Sequence, residues 1–224
     1  MPGLDGEPEI LETLRSRLET TLVSDALDAM GIHGQAMRAE VRPVFPGATV
    51  VGRAYPVQAL DRDETGDKPF LNILDVVNSL KPDDVLVIGS SGSLRTALFG
   101  DLLAVAAQVR GAAGLVTDGA LRDIKQLAEM NFPGFAAGVN MVDPTGKAGI
   151  VDSGRAVPCG GVTVNPGDIV FGDINGVVVI PGDRAAETVA LALKLASEEA
   201  LLRDRLRTGQ DIHRAFDSVS NQEP

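Results

Sequence analysis

The run Val85-Leu86-Val87-Ile88 constrains this chain most. Four apolar residues without alternation are entered from the turn Lys81-Pro82-Asp83-Asp84 and left into Gly89-Ser90-Ser91-Gly92-Ser93. Such a run reads as a strand buried on both faces, central in a sheet that carries helices. Upstream, Ala48 to Leu60 alternates and is rich in Val, a strand, and Phe70 to Leu80 repeats apolar residues at helical spacing. Downstream, Gly100-Asp101 opens an Ala-rich helix over Leu102 to Arg110. Ala113 to Thr117 reads as a strand, Asp118-Gly119 as a turn, and Leu121 to Met130 as a helix closed by Asn131 and Pro133. Strands alternating with helices predict an α/β fold whose sheet is at least partly parallel.

The flanks differ from this centre. Ile10, Leu14, Leu18, Leu22, Leu27 and Met30 recur at roughly helical spacing before the stops Gly31 and Gly34, predicting one or two amphipathic helices. Ser24 is a candidate N-cap for a short second helix, Ser24 to Gly31. Past Gly134 the chain reads as short β segments at Phe135 to Ala137, Gly161 to Val164, Ile169 to Phe171 and Val177 to Ile180, separated by turns such as Asn165-Pro166-Gly167-Asp168. Asp183 to Arg207 is a long helix ended by Thr208-Gly209-Gln210. A polar tail from Asp217 to Pro224 is expected to be disordered or docked on a partner subunit. With 44% hydrophobic residues in 224, one domain over residues 1–224 is the expectation, with an N-terminal helical region 8–33 and a C-terminal helix and tail 183–224.

Charge and rare residues narrow the chemistry. The net charge of −11 repels phosphate backbones and anionic lipid, so neither nucleic acid nor membrane is an expected partner. The single Cys159 excludes an internal disulfide and any Cys-cluster metal site, which fits a reducing, cytoplasmic setting, and His33 and His213 are too few for a multi-histidine centre. Met1 to Glu9 is polar, and no apolar run approaches the roughly 18 residues of a membrane span. A Schiff-base lysine would have to be Lys68, Lys81, Lys125, Lys147 or Lys194, none in an apolar setting. Cys159 reads as a small buried hydrophobe and His33 as a loop or core histidine. Residues 89–93 match neither a serine-hydrolase elbow nor a Walker loop.

One constellation remains. Gly100-Asp101-Leu102-Leu103 at a helix start and Arg122-Asp123 beyond the next strand meet where strand ends gather. There the Leu102 and Leu103 amides would offer an anion site. Arg122 is a bidentate donor suited to a carboxylate, and Asp123 is an oxygen ligand suited to a hard divalent cation. The same residues also fit an ordinary Arg122–Asp101 surface ion pair, with Asp123 as a helix N-terminal carboxylate. Arg95 is a candidate second carboxylate clamp, against simple surface solvation.

Three segments, Phe99-Gly100-Asp101-Leu102-Leu103-Ala104, Val116-Thr117-Asp118-Gly119-Ala120-Leu121-Arg122-Asp123 and Val157-Pro158-Cys159-Gly160-Gly161-Val162, closely resemble the RraA-like family, as does Ser24-Asp25-Ala26-Leu27-Asp28. The resemblance spans Leu22 to Pro181 and continues more weakly into the final helix. This family includes the 4-hydroxy-4-methyl-2-oxoglutarate/4-carboxy-4-hydroxy-2-oxoadipate aldolases and regulators of ribonuclease E activity. The aldolase members carry Asp, twenty intervening residues, then Arg-Asp, as Asp101 and Arg122-Asp123 do here. The regulators tend to have Gly in the first position and acidic residues shortly after Arg-Asp, where this chain has Ile124-Lys125-Gln126-Leu127.

The resemblance implies an αββα sandwich related to swivelling β/β/α domains, trimers or hexamers with sites between subunits, and inactive monomers. It further implies a Mg²⁺- or Mn²⁺-dependent class II pyruvate aldolase that also decarboxylates oxaloacetate. Asp123 would hold the metal, Gly100, Arg122 and the Leu102 and Leu103 amides would bind the 2-oxo acid, and Asp101 would fix a water. Glu198 or Glu199 of a neighbouring subunit, or else Glu187, would complete the metal's surroundings. The alternatives are an endoribonuclease-binding inhibitor and a lyase or dehydratase for another hydroxy acid on the same scaffold. Substrate preference is expected to lie in the loops Asp61 to Lys68 and Asn140 to Gly149.

Overall fold

The computed structural model describes residues 6–64 and 71–220. α1 (Glu7–Arg17) starts with Pro8, where a missing N–H costs nothing, and buries Ile10, Leu11 and Leu14. Extended backbone at Leu18 and Glu19 ends it, and α2 (Thr20–Ala29) follows. Ser24 therefore lies inside α2 and does not cap a new helix. The first turn of α2 is held from a distance by Asp173, whose carboxylate accepts from the Thr20 N–H at 2.9 Å and hydroxyl at 2.7 Å.

The chain then runs through β1 (Arg42–Pro43), β2 (Val50–Asp61), α3 (Ile73–Ser79), β3 (Asp84–Gly89), β4 (Ala97–Phe99), α4 (Asp101–Val109), β5 (Gly114–Leu121) and α5 (Ile124–Glu129). It continues with β6 (Gly134–Val139), β7 (Ala148–Ser153), β8 (Val157–Cys159), β9 (Val162–Val164), β10 (Ile169–Asp173), β11 (Gly176–Ile180), α6 (Ala185–Arg207) and α7 (Ile212–Ser220). Among the described residues one sheet takes the order β1-β6-β5-β3-β2-β10-β11, with β4 beside β5 and β7 beside β2, while β8 and β9 form a separate ribbon. The pairs β2/β3, β3/β5, β4/β5 and β5/β6 are parallel, and the edges are antiparallel. The two ends of the order approach each other where Arg42 Nη1 donates to the carbonyls of Ile174 and Asn175, making the sheet a nearly closed barrel.

Alternating residues on each strand separate three cores. Val85 and Val87 of β3, Val116, Phe135, Val170, Val177 and Val179 point into the barrel, where Cys159, Val162 and Val164 of the ribbon join them. Leu86, Ile88, Leu115 and Leu121 face outward under α3, α4 and α5. Val51, Ile169, Phe171, Val178 and Ile180 face outward under α1, α2 and α6. Helices outside both walls of the one barrel-like sheet give the αββα layering, and β3 is central and buried throughout, as its apolar run predicts. Full burial of each such side chain stabilises by roughly 1.5–3 kcal/mol.

Several boundaries differ from expectation. Asp118-Gly119 is no turn, because it continues β5. The buried Asp118 carboxylate accepts from the Ser90 N–H at 2.7 Å and hydroxyl at 3.0 Å, and a bulge between Thr117 and Ala120 absorbs the irregularity. The helix expected from Leu121 thus starts at Ile124, after β5 has ended. β4 and β7 were hidden by Ser-, Thr- and Asp-rich surroundings, and Asp217 lies within α7, whose Ala215 is buried, so the polar tail is helical there. Phe70, the loop residues 65–70 and the tail residues 221–224 lie outside the described residues.

Candidate active site at the β4 and β5 ends

β4 and β5 run parallel, with Phe99 beside Leu121, so the residues following each strand emerge side by side. After β4 come Gly100 and Asp101 at the start of α4, and after β5 come Arg122 and Asp123 at the start of α5. The Arg122 N–H donates to the Phe99 carbonyl at 3.2 Å and locks the two turns together. Asp123 takes the left-handed conformation (φ 57°), which an aspartate tolerates better than most residues and which folds its carboxylate back over Gly100.

Gly100 is required there for space. A Cβ at this position would stand 2.3 Å from Asp123 Oδ2 and 2.9 Å from Arg122 Cγ. In its absence Asp123 Oδ2 accepts from the Asp101 N–H at 3.2 Å and lies 3.5 Å from Arg122 Nε. Asp101 Oδ1 in turn accepts from the Leu102 N–H at 2.8 Å. That amide is therefore held by its own neighbour, and an incoming anion would have to displace Asp101 from it. Leu103 is packed on the helix-covered core, while Leu102 is 80% exposed.

Beside these residues lies an open depression of 390 Å³ lined by Arg122, Asp123, Ile124, Val139, Asn140 and Met141. The Arg122–Asp101 ion pair weighed from spacing does not form. Arg122 Nη1 donates to Asp143 Oδ2 at 2.9 Å, and Asp143 is the residue that sequence reasoning missed. Its signal was Asp143-Pro144-Thr145 within the Asn140 to Gly149 loop, an Asx turn in which Asp143 Oδ1 accepts from the Thr145 N–H at 2.8 Å. Thr145 and Arg122 together hold the Asp143 carboxyl down at about 2.

Other candidates fall elsewhere. Arg95 is engaged by Asp63 at 2.8 Å and Asp61 at 3.2 Å and does not line the depression. Lys125 pairs with Glu129, Lys194 with Glu198, and Lys147 Nζ donates to the Asp143 carbonyl at 3.0 Å, while Lys68 lies outside the described residues. His33 pairs with Asp28 on the exposed surface. Cys159 is buried, and burial with the nearby Asp118 charge pushes its thiol far up. Glu198 and Glu199 sit on α6, which packs on α1, α2 and α7, on the flank opposite α4 and α5. Glu187 is bound by Arg184 at 2.9 Å. Among the described residues no cluster of three or more His, Cys, Asp or Glu side chains could hold a metal, and no helix is long and apolar enough to cross a membrane.

Residues 20–179 match the profile of the RraA-like family, described as Aldolase/RraA. The chain belongs to the RraA-like family. "Protein DlpA" of Legionella pneumophila is 32% identical over 98% of this chain, which spans only 35% of that protein's length. The "Putative 4-hydroxy-4-methyl-2-oxoglutarate aldolase" of Halalkalibacterium halodurans is 34% identical over 81% of each chain. Among solved structures, Streptomyces coelicolor RraAS2, titled an unusual member of the RNase ES inhibitor RraA protein family, superposes with a TM-score of 0.80. It is 28% identical, over 89% of this chain and 98% of that one.

Proposed function

We propose that this RraA-like chain is a lyase that cleaves a 4-hydroxy-2-oxo acid, of the 4-hydroxy-4-methyl-2-oxoglutarate type, to pyruvate and a second carbonyl compound. Oxaloacetate decarboxylation would accompany it at the same site. The observation that carries this reading is the side-by-side placement of the Arg122 guanidinium and the Asp123 carboxylate at the rim of one depression, over a glycine that leaves room for both.

Asp123 and Asp101 form an oxygen-only donor set joined through the Asp101 amide. That suits Mg²⁺ or Mn²⁺, hard cations that bind through one or two carboxylates and keep several waters. Asp123 would hold the cation and Asp101 would sit beside it; when bound, it supplies Lewis-acid stabilisation to the charge developing on the substrate's keto oxygen.

The chain's own groups do the rest. Arg122 pairs its guanidinium with the substrate carboxylate and favours the enolate left when the C3–C4 bond, or the bond to the departing CO₂, breaks. The first-turn amides of α4 at Leu102 and Leu103 face the same anion, Leu102's once Asp101 releases it. Asp101 Oδ1, so freed, is placed to accept a proton from the substrate hydroxyl through water.

A trimer or hexamer would complete the site with Glu198 or Glu199 from a neighbouring subunit, since both lie on the opposite flank within one chain. The exposed Val139 and Met141 that line the depression support an intersubunit surface there. A second reading, an inhibitor that binds an endoribonuclease, draws on the Streptomyces coelicolor likeness and on the −11 charge, which would attract basic RNA-binding segments.

The test is pyruvate release from 4-hydroxy-4-methyl-2-oxoglutarate and from oxaloacetate, with Mg²⁺, with EDTA, and in Arg122→Ala and Asp123→Ala. Cleavage of both substrates, abolished by chelation and in both variants, is the expected result. Decarboxylation without aldol cleavage would move the substrate to another hydroxy acid, and no turnover of either would overturn the lyase reading.

A further inference from the structure

We propose that Asp143 is a positioning residue: its carboxylate fixes the plane of the Arg122 guanidinium over the depression, so that an incoming carboxylate meets preset N–H groups. The proposal rests on the reading of Arg122 as the substrate-binding cation.

Both Asp143 oxygens are committed, Oδ2 to Arg122 Nη1 at 2.9 Å and Oδ1 to the Thr145 N–H at 2.8 Å. The carboxylate cannot turn without losing one of them. Its loop is equally fixed. Asn140 Nδ2 donates to the Leu94 carbonyl at 2.7 Å, Asn140 Oδ1 accepts from the Val142 N–H at 3.0 Å, and the Ala97 N–H at the start of β4 donates to the Val142 carbonyl at 3.0 Å. Since β4 leads directly into Gly100, the loop that carries Asp143 and the turn that carries Asp101 share one framework.

On its other edge Arg122 Nε faces Asp123 at 3.5 Å. The guanidinium thus meets a hydrogen bond on one edge and an ion pair on the other, while Nη2 and the second Nη1 hydrogen have no partner among the described residues. Asp143 itself does not line the depression, whereas Arg122 does. A carboxylate that merely stood in for substrate would occupy the depression and compete. One that holds the cation from outside lowers the ordering cost of binding, because a four-torsion side chain is already placed.

Asp143→Asn keeps the acceptor for Thr145 and removes the charge, while Asp143→Glu keeps the charge at longer reach. Two readouts are taken on the full chain with Mg²⁺: the ¹⁵N resonances of the Arg122 guanidinium, assigned with Arg122→Lys, and the kinetics of oxaloacetate turnover. Restricted rotation should give separate Nη signals in the parent protein that merge in Asp143→Asn. KM should rise about tenfold with kcat changed less than about threefold, the loss of one charge-assisted hydrogen bond at a half-exposed position. Asp143→Glu should recover part of the KM.

Unchanged Nη signals with unchanged KM would overturn the proposal, and a lower KM in Asp143→Asn would overturn it by making Asp143 a competitor. If the parent protein turns over no oxaloacetate, the lyase reading is what fails, and the Nη signals alone then decide whether Asp143 holds the guanidinium.

Discussion

Asp123 Oδ2 accepts the Asp101 N–H at 3.2 Å, which joins two sequence blocks through one hydrogen bond at the mouth of the depression. The contact exists because Phe99 and Leu121 are paired across β4 and β5, and because Gly100 leaves the space between them empty.

Gly100→Ala is the sharpest probe of that arrangement. Its Cβ would fall 2.3 Å from Asp123 Oδ2 and 2.9 Å from Arg122 Cγ, so both side chains must move. Gly100 has negative φ, so the backbone accepts alanine and the fold should survive. The proposed pyruvate-forming activity should fall by about 10²-fold, since an ångström of misplacement at a reacting centre costs that order, while the circular dichroism spectrum stays unchanged. Retained activity would show that the Arg122–Asp123 pair does not act in this geometry.

How far the residues alone disclose this site depends on which physical signals are local. Gly100-Asp101 and Arg122-Asp123 were legible because a helix start and a strand end are marked by short-range chemistry, and the central position of β3 followed from Val85 to Ile88 needing burial on both faces. Asp143 was not legible, because its partner is fixed only when β6 and the loop after it return to β4. β5 was cut short at Thr117 for a similar reason. Asp118-Gly119 carries turn chemistry locally, and it is distant residues, Ser90 on one carboxylate oxygen and Arg38 at 3.7 Å from the other, that hold the carboxylate in the strand.

Gly119→Ala tests that last point. Its Cβ would stand 2.4 Å from Ser90 Oγ and 3.1 Å from the Ser93 carbonyl oxygen, wedging the 89–93 loop from β5. Destabilisation of about 1–3 kcal/mol is expected from urea unfolding. Ser90→Ala removes the nearer atom, so the double variant should be more stable than the sum of the two single changes predicts. Simple additivity would mean that the loop relaxes without using Ser90.

Cys159 should be inert in the native protein. It is fully buried in the barrel, and burial and the Asp118 charge both disfavour the thiolate. Ellman's reagent should therefore react slowly in buffer and completely in guanidinium chloride. Rapid native labelling would place the thiol outside the barrel core.

The Asp143 contact carries its own pH signature. Its carboxyl is held at about 2, below the ordinary 3.8, by the Thr145 hydroxyl and amide and by Arg122. A carboxyl depressed in the folded state adds stability that is fully present above its unfolded value and is lost as pH falls through its folded value. The stability difference between the parent protein and Asp143→Asn should therefore be flat from pH 8 to about 4 and should close between about 3.8 and 2. Urea midpoints of both proteins at pH 7, 5, 3.5 and 2.5, scales chosen to bracket that window, measure it. A difference that already shrinks between pH 7 and 5 would assign the effect to another group, because Asp143, held at about 2, does not titrate there.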